Sequence, residues 1–354
     1  MPVRLNPITV KKLRRFRALR RGFWSFVVLS GLIVFTLLAE VFINNRALVV
    51  RFEGRWFFPA YADVIAGDAF KLGYPWETDY RQLRDRIRTD PAAQARGDFI
   101  LLAAIPFSPT ENTYPGQFYQ ARPPDWNKRH LLGTDTQNRD IFARLVYGFR
   151  KALIFSFWIV VGTYALGILI GCAMGFYRGV FDLVFQRIIE IWSNIPTLYV
   201  IIILASLVRP DLFWLCVITI TFGWMGMTYY MRTGTLKEAA RDYVASAQVL
   251  GASDARIILR HILPNTAATL VTFVPFTVAG AIGSLTALDF LGFGLPVPTP
   301  SWGELLQQGT QNLTTAPWIV ISAVTAMTLV LTLVTFVGEA IREAFDPRTF
   351  TTYQ

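Results

Sequence analysis

Chemistry requires reactive side chains within reach of one another, and this chain supplies few such groupings. The two histidines, His130 and His261, lie far apart, and the two cysteines, Cys172 and Cys216, sit inside apolar runs. That spacing implies neither a zinc site nor a disulfide framework. A Gly-x-x-x-x-Gly-Lys-Ser/Thr loop, whose backbone amides would cradle phosphates, occurs nowhere, and no nucleophile, base and orienting group fall together. No cofactor, metal or catalysis is therefore expected on this chain. Four residues in or beside apolar runs, Glu190, Asn194, Pro275 and Asp289, are candidates for a translocation path or gate. A charge at mid-bilayer costs roughly 2.5 to 3.5 kcal/mol, and a proline removes one helix hydrogen bond, so such residues need a compensating environment. Blander readings stand beside this one. Arg187 and Glu190 have the spacing of an i, i+3 ion pair, and Asp289 is equally suited to capping a local turn.

The polar residues that remain suit the transmission of force rather than the making of bonds. From Thr235 to Asn265 a polar, Ala-rich island separates two apolar runs. Thr235 and Glu238 have the spacing of a capping box, which predicts a helix starting there and running to about Leu250. Gly251 supplies a turn, and Ser253 with Asp254 opens a second helix, Asp254 lying at the positive end of its dipole. Leu263 and Pro264 are expected to close the unit. Ala245, Ser246, Ala247, Ala252 and Ala255 give the turn small side chains, so another protein's surface can approach the backbone.

The elements that must carry this island are membrane helices. Apolar residues make up 53% of the chain and charged residues 16%, with a mean hydropathy of +0.40, which marks a polytopic membrane protein. Much of the net charge of +10 comes from Arg4, Lys11, Lys12, Arg14, Arg15, Arg17, Arg20 and Arg21, with no acid among the residues up to Gly22. A nucleic-acid arm could carry such charge, but an apolar span follows at once, which places this end on the cytoplasmic side. Successive apolar runs then predict spans at 23–43, 152–176, 188–208, 212–231, 266–291 and 318–337, each near the roughly 20 residues a bilayer core requires. In the second, Gly167, Gly171 and Gly175 recur every fourth residue, which allows close approach by a neighbouring helix. Between the first two spans, 44–151 is polar and proline-broken. Its Trp56, Phe57, Phe58, Tyr61, Tyr74 and Trp76 suit the core of a compact external subdomain, with a docking surface as the alternative. The expected organisation is a basic N-terminus over 1–22, a span over 23–43, the external segment 44–151, a core over 152–337 that includes the cytoplasmic loop 232–265, and a tail over 338–354. The fold class is all-α.

Several motifs in order resemble one family. Ala245-Ser246-Ala247, Gly251 and His261-Ile262-Leu263-Pro264 are similar to the E-A-A-x3-G-x9-I-x-L-P loop of bacterial ABC importer permeases, Ala245 replacing the Glu and His261 the first Ile. The literal Glu238-Ala239-Ala240 lies seven residues too early. His130-Leu131-Leu132-Gly133-Thr134-Asp135 with Arg139-Asp140 resembles the signature before the second span of dipeptide and oligopeptide importer permeases, with Asn138 where Gly is usual. Leu288 to Gly303 and Gly338 to Arg348 resemble two further stretches of these permeases. The long external segment and Asp289 look like the Yej-type branch of peptide importers.

The resemblance implies a type I ABC importer permease fold of six transmembrane helices in a bacterial inner membrane, both termini cytoplasmic. It implies a homologous sister permease in a heterodimer and a periplasmic peptide-binding protein. ATP and Mg would be bound by an ATPase carrying two nucleotide-binding domains, or by two ATPase chains. The cargo implied is oligopeptides, including peptide antibiotics. Asp242, Ala245, Ser246, Ala247, Gly251, Ala252, Ser253, Asp254, Arg256, Leu263 and Pro264 become the residues that couple to the ATPase. Nickel, an opine or a sugar is the rival cargo. An ion-driven carrier is the rival mechanism, although no inverted repeat is visible. A membrane enzyme using Asp289 or Glu190 finds too few ionisable partners.

Overall fold

The computed structural model describes residues 7–345 except residue 115, and the side chains of these other than 7–9 and 267–269. Arg4 of the basic cluster and Asp346, Pro347 and Arg348 of the C-terminal motif lie outside the described residues. The described residues are predominantly helical, as expected, and carry one small sheet that the sequence reading does not contain.

A basic helix α1 (Pro7–Ala18) leads into α2 (Arg20–Leu37) and the short α3 (Ala39–Phe42). Strands β1 (Ala47–Phe52) and β2 (Arg55–Phe57) form a hairpin, and β3 (Phe99–Leu102) pairs antiparallel on the other edge of β1. Glu53 and Gly54 turn the hairpin with φ of 49° and 77°, the left-handed pair that matches strand twist. Helices α4 (Tyr80–Thr89) and α5 (Pro91–Ala95) complete this insert, and Asp79 caps α4 by accepting from the Arg81 and Gln82 amides. Its core is Ala47, Val50, Phe70, Tyr80, Leu83 and Ile87. Burial, then the Glu77 charge, pushes the Tyr80 phenol up to about 12.

The aromatics expected in that core mostly face outward. Trp56, Phe58, Tyr61 and Trp76 are each more than half exposed, and Tyr74 stacks on Trp76; of the six, Phe57 packs on the core. The physical reason is position: Trp56 sits on an edge strand, and Phe58, Tyr61 and Trp76 sit outside regular strands.

Helix α6 (Ile141–Tyr177) runs unbroken and starts well before 152, where the second span was expected to begin. The third candidate span is broken into α7 (Gly179–Ser193) and α8 (Thr197–Leu207), bent by 65°, because Pro196 lacks an N–H and bars its predecessor from helical geometry. The fourth is α9 (Leu212–Gly223) followed by α10 (Met225–Ala239), bent by 42°. After α11 (Asp242–Val249) and α12 (Asp254–Ile257) comes α13 (Leu263–Phe290), with Pro275 inside it. Helix α14 (Trp302–Gln311) was not expected, and α15 (Pro317–Phe345) continues helical well past Val337. Four of these helices are long and apolar enough to cross a membrane, and up to six spans result if each bent pair counts as one.

The chain divides into two compact units, Gly31–Lys151 with Val297–Met327, and Met1–Ser30 with Ala152–Pro296 and Thr328–Gln354. The second of these contains the polar island.

Candidate coupling site

The glycine stripe of α6 is used as expected. A Cβ on Gly167 would meet Met227, one on Gly171 the Thr228 carbonyl at 2.5 Å, and one on Gly175 the Arg232 carbonyl at 2.6 Å, so α6 and α10 touch backbone to backbone. Arg232 donates from Nε and Nη2 to the two oxygens of Asp182, each at 2.6 Å, which ties α10 to α7 as well. Helix α10 is thus locked to two neighbours and ends at the island.

Thr235 does not cap a helix. It lies inside α10, fully buried, with its hydroxyl 3.6 Å from Cys172 Sγ. Burial against α6 outweighs the local capping signal, and the break falls at Ala240 and Arg241 instead. From there α11 runs to Val249, and the turn that follows is a Schellman motif. The Gly251 amide donates to Gln248 O at 2.9 Å, and the Ala252 amide to Ala247 O at 3.0 Å. Gly251 has φ 76°, which explains its residue type through backbone conformation rather than space, since a Cβ there would meet nothing within 4 Å.

Ser253 is the N-cap residue of α12, as the sequence predicts, although its side chain makes no cap hydrogen bond. Leu263 and Pro264 do not close the unit. The chain passes from α12 through a π turn (Ile258–Ile262) directly into α13, and Pro264 follows at once, where the Leu263 amide reaches back to Ile258 O and the regular ladder is already interrupted.

The result is a knuckle with its own core of Val244, Ala247, Ile257 and Ile262. Ala247 points inward, and Ala245, Ser246, Gly251, Ser253, Asp254 and Arg256 point outward with Asp242. A staple closes the base: Tyr243 donates to Glu238 at 2.7 Å, and Asn265 Nδ2 donates to the Tyr243 oxygen at 3.1 Å. Burial, then the Glu238 hydrogen bond, raises the Tyr243 phenol. At the tip stand Val249 and Leu250, 88% and 86% exposed. Sequence reasoning missed this pair because two aliphatics on a short helix look like core. Two adjacent apolar side chains that the knuckle's own core does not use are suited to a hydrophobic socket on another protein.

The gate candidates occupy local roles. Arg187 Nη1 lies 2.6 Å from Glu190 Oε2, and Asn194 ends α7 with its amide donating to Glu190 O at 2.6 Å. Pro275 lies against the helix that carries Gly338, whose Cβ would meet it at 3.1 Å. Asp289 is 6% exposed, and its Oδ1 accepts from the Leu295 amide at 2.7 Å, the turn-capping geometry.

In the other unit the signature residues gather into a buried ionic network. Arg139 contacts Asp135 at 2.8 Å and Glu304 at 2.7 Å, while Arg144 pairs with Glu304 and lies 3.4 Å from Asp135. His130 Nδ1 lies 2.7 Å from Asp140 and its ring stacks on Phe107. Trp302 donates to Leu145 O at 2.8 Å, so the stretch at Ser301–Glu304 is fastened to the start of α6. Glu304 went unnoticed in the sequence because its partners lie 165 and 160 residues away. Asn138 has φ 58°, a conformation that Asn tolerates better than most residues, which accounts for Asn where Gly is usual. Among the described residues no group of three or more His, Cys, Asp or Glu side chains could hold a metal ion.

Comparison with known proteins identifies the family. The family described as binding-protein-dependent transport system inner membrane component matches residues 167–351. The inner membrane ABC transporter permease protein YejE of Escherichia coli (strain K12) is 40% identical, over 97% of this chain and 98% of that protein. The peptidoglycan transport system permease protein YejE of Agrobacterium fabrum is 34% identical, over 97% and 94% respectively. An oligopeptide transport system permease protein, OppC of Lactococcus lactis, is 34% identical over 62% of this chain and 76% of its own length. This chain, a multi-pass protein of the inner membrane, belongs to the family of binding-protein-dependent transport system inner membrane components.

Proposed function

We propose that this chain is the permease subunit of an ATP-driven importer of peptides, working by alternating access. The observation that carries the reading is the knuckle: an apolar tip at Val249 and Leu250 on a unit with its own small core, tied to α10 by the Tyr243–Glu238 hydrogen bond and helically continuous with α13. ATP and Mg belong to a separate ATPase, of two chains or of one chain with two nucleotide-binding domains. Its closure on ATP moves the knuckle as a body and shifts this chain and a homologous sister permease from inward-open to outward-open. Such a shift requires the ATP-bound ATPase to hold the two permease states with different free energies.

A periplasmic peptide-binding protein delivers cargo to the face that carries the insert, and both termini are cytoplasmic, as the basic α1 supports. The bend at Asn194–Pro196 is a natural hinge of the path, and Pro275, which removes one ladder hydrogen bond inside α13, a second weak point, with Glu190 and Asp289 beside it. Peptide cargo is supported by the names of the relatives above. The test is uptake by proteoliposomes holding both permeases, the ATPase and the binding protein. ATP-dependent accumulation of labelled oligopeptides is expected, and accumulation of nickel, an opine or a sugar instead would replace the cargo. Uptake without the ATPase would replace the mechanism. Orientation has its own test: Ser246→Cys should react with an impermeant thiol reagent from the cytoplasmic side only, Cys172 and Cys216 being buried.

A further inference from the structure

A charged groove remains where α2 begins and α15 ends. It encloses about 360 Å³ and is lined by Arg20, Arg21 and Gly22 from one helix and Glu339, Ala340 and Glu343 from the other. The two helices touch at its floor, since a Cβ on Gly22 would fall 2.1 Å from Ala340 Cβ. That contact fixes the level of everything around it. On α2 the chain turns apolar immediately after Gly22, and on α15 it is apolar up to Val337. Both helices therefore pass from hydrocarbon-compatible to charged at the same height, and the groove straddles the boundary.

Its charges are largely uncommitted. Among the described residues Arg20, Arg21 and Glu339 have no ion-pair partner, and Glu343 has a 3.7 Å contact with Arg15 while remaining 56% exposed. Two arginines face two carboxylates that share one side of α15 at i, i+4 spacing. Guanidinium groups match a phosphate diester, and carboxylates accept hydrogen bonds from a primary ammonium. A molecule carrying both groups a few bonds apart, on an apolar tail that reaches past the groove toward Phe336, is an aminophospholipid.

We infer that this groove is a binding site for the headgroup of a phospholipid bearing a primary amine, phosphate on Arg20 and Arg21, ammonium on Glu339 and Glu343. Phosphatidylcholine presents the same phosphate, but its quaternary ammonium donates no hydrogen bond. Phosphatidylglycerol lacks the cation and brings its charge against the two carboxylates.

The experiment is native mass spectrometry of the assembled transporter, delipidated in mild detergent and offered phosphatidylethanolamine, phosphatidylcholine or phosphatidylglycerol of matched chains. Wild type should retain phosphatidylethanolamine over phosphatidylcholine by roughly tenfold, the effect of about two charge-assisted hydrogen bonds at an exposed site. Glu339→Gln with Glu343→Gln should erase that preference while retaining both lipids. Arg20→Gln with Arg21→Gln should lose both, and Arg20→Lys with Arg21→Lys should keep them. The same spectra report whether each variant assembles, and the exposed single change Glu339→Gln should cut the preference to roughly threefold if the double change does not assemble. Equal retention of the two zwitterionic lipids by wild type, a preference for phosphatidylglycerol, or glutamine variants that bind as wild type would each overturn the assignment.

Discussion

Truncating the knuckle's tip gives the sharpest test of force transfer. Val249→Ala with Leu250→Ala removes five side-chain carbons from positions 88% and 86% exposed in the isolated chain. If both side chains enter a socket on the ATPase, each carbon withdrawn from burial costs about 0.8 kcal/mol, or about 4 kcal/mol in all when burial is complete. That corresponds to roughly a thousandfold loss of affinity, and to about thirtyfold if the socket buries half of the surface. The stability of the permease should move by less than about 0.5 kcal/mol, because the tip contributes nothing to the knuckle's core. The assay is equilibrium binding of purified ATPase to the solubilised permease pair, with thermal unfolding as the control. Ile257→Ala is the counter-control: fully buried in the core, it should lower stability by about 2 kcal/mol or more. Wild-type ATPase affinity in the double alanine variant would refute the docking argument outright.

Other outcomes follow from the same geometry. Gly171→Ala should push α6 off α10, costing about 1 to 3 kcal/mol in thermal unfolding, whereas Gly283→Ala, with nothing within 4 Å, should be silent. Glu304→Gln leaves Arg139 and Arg144 buried with half their anionic partners, and should cost about 3 kcal/mol, visible as a lowered unfolding midpoint with membrane insertion intact. Burial pushes the Glu111 carboxyl above its ordinary 4.5, against the opposing pull of Arg81. The native state then keeps this proton to higher pH than the unfolded chain. Its stabilising contribution is full below pH 4.5 and is lost as pH rises from there through the native value. Unfolding midpoints of wild type minus Glu111→Gln, measured across that window, should fall with pH; a flat difference would contradict the assignment.

Which features were legible in the sequence follows from the range of the forces involved. The apolar runs announced their helices because spanning is a local property of about 20 residues. The glycine stripe on α6 and the turn at Gly251 were equally local. The capping box at Thr235 misled, since a buried packing contact with α6 outweighs a surface signal worth about 1 kcal/mol. Pro264 misled for a related reason: it falls directly after a π turn, where the ladder is already interrupted, and so does not end the helix. Glu304 was invisible because its partners are remote in sequence, the Tyr243–Asn265 arm of the staple because it bridges 22 residues across the knuckle, and the outward aromatics of the insert because burial at a sheet edge is decided by topology.

The π turn at Ile258–Ile262 has a consequence for how the molecule can vary. One residue more than an α-helix needs is accommodated there, and with 3.6 residues per turn each residue advances the azimuth by about 100°. The widened turn takes up that residue in nearly the rotation of an ordinary one, so the bearing of the tip relative to α13 is kept. Deleting one residue within it would leave a smooth helix with the tip near its present bearing, whereas the same deletion in the α-helical stretch on either side would turn the tip by about 100°. Within this helical stretch the π turn is thus the place where the length of the chain can vary by one residue without moving the contact surface.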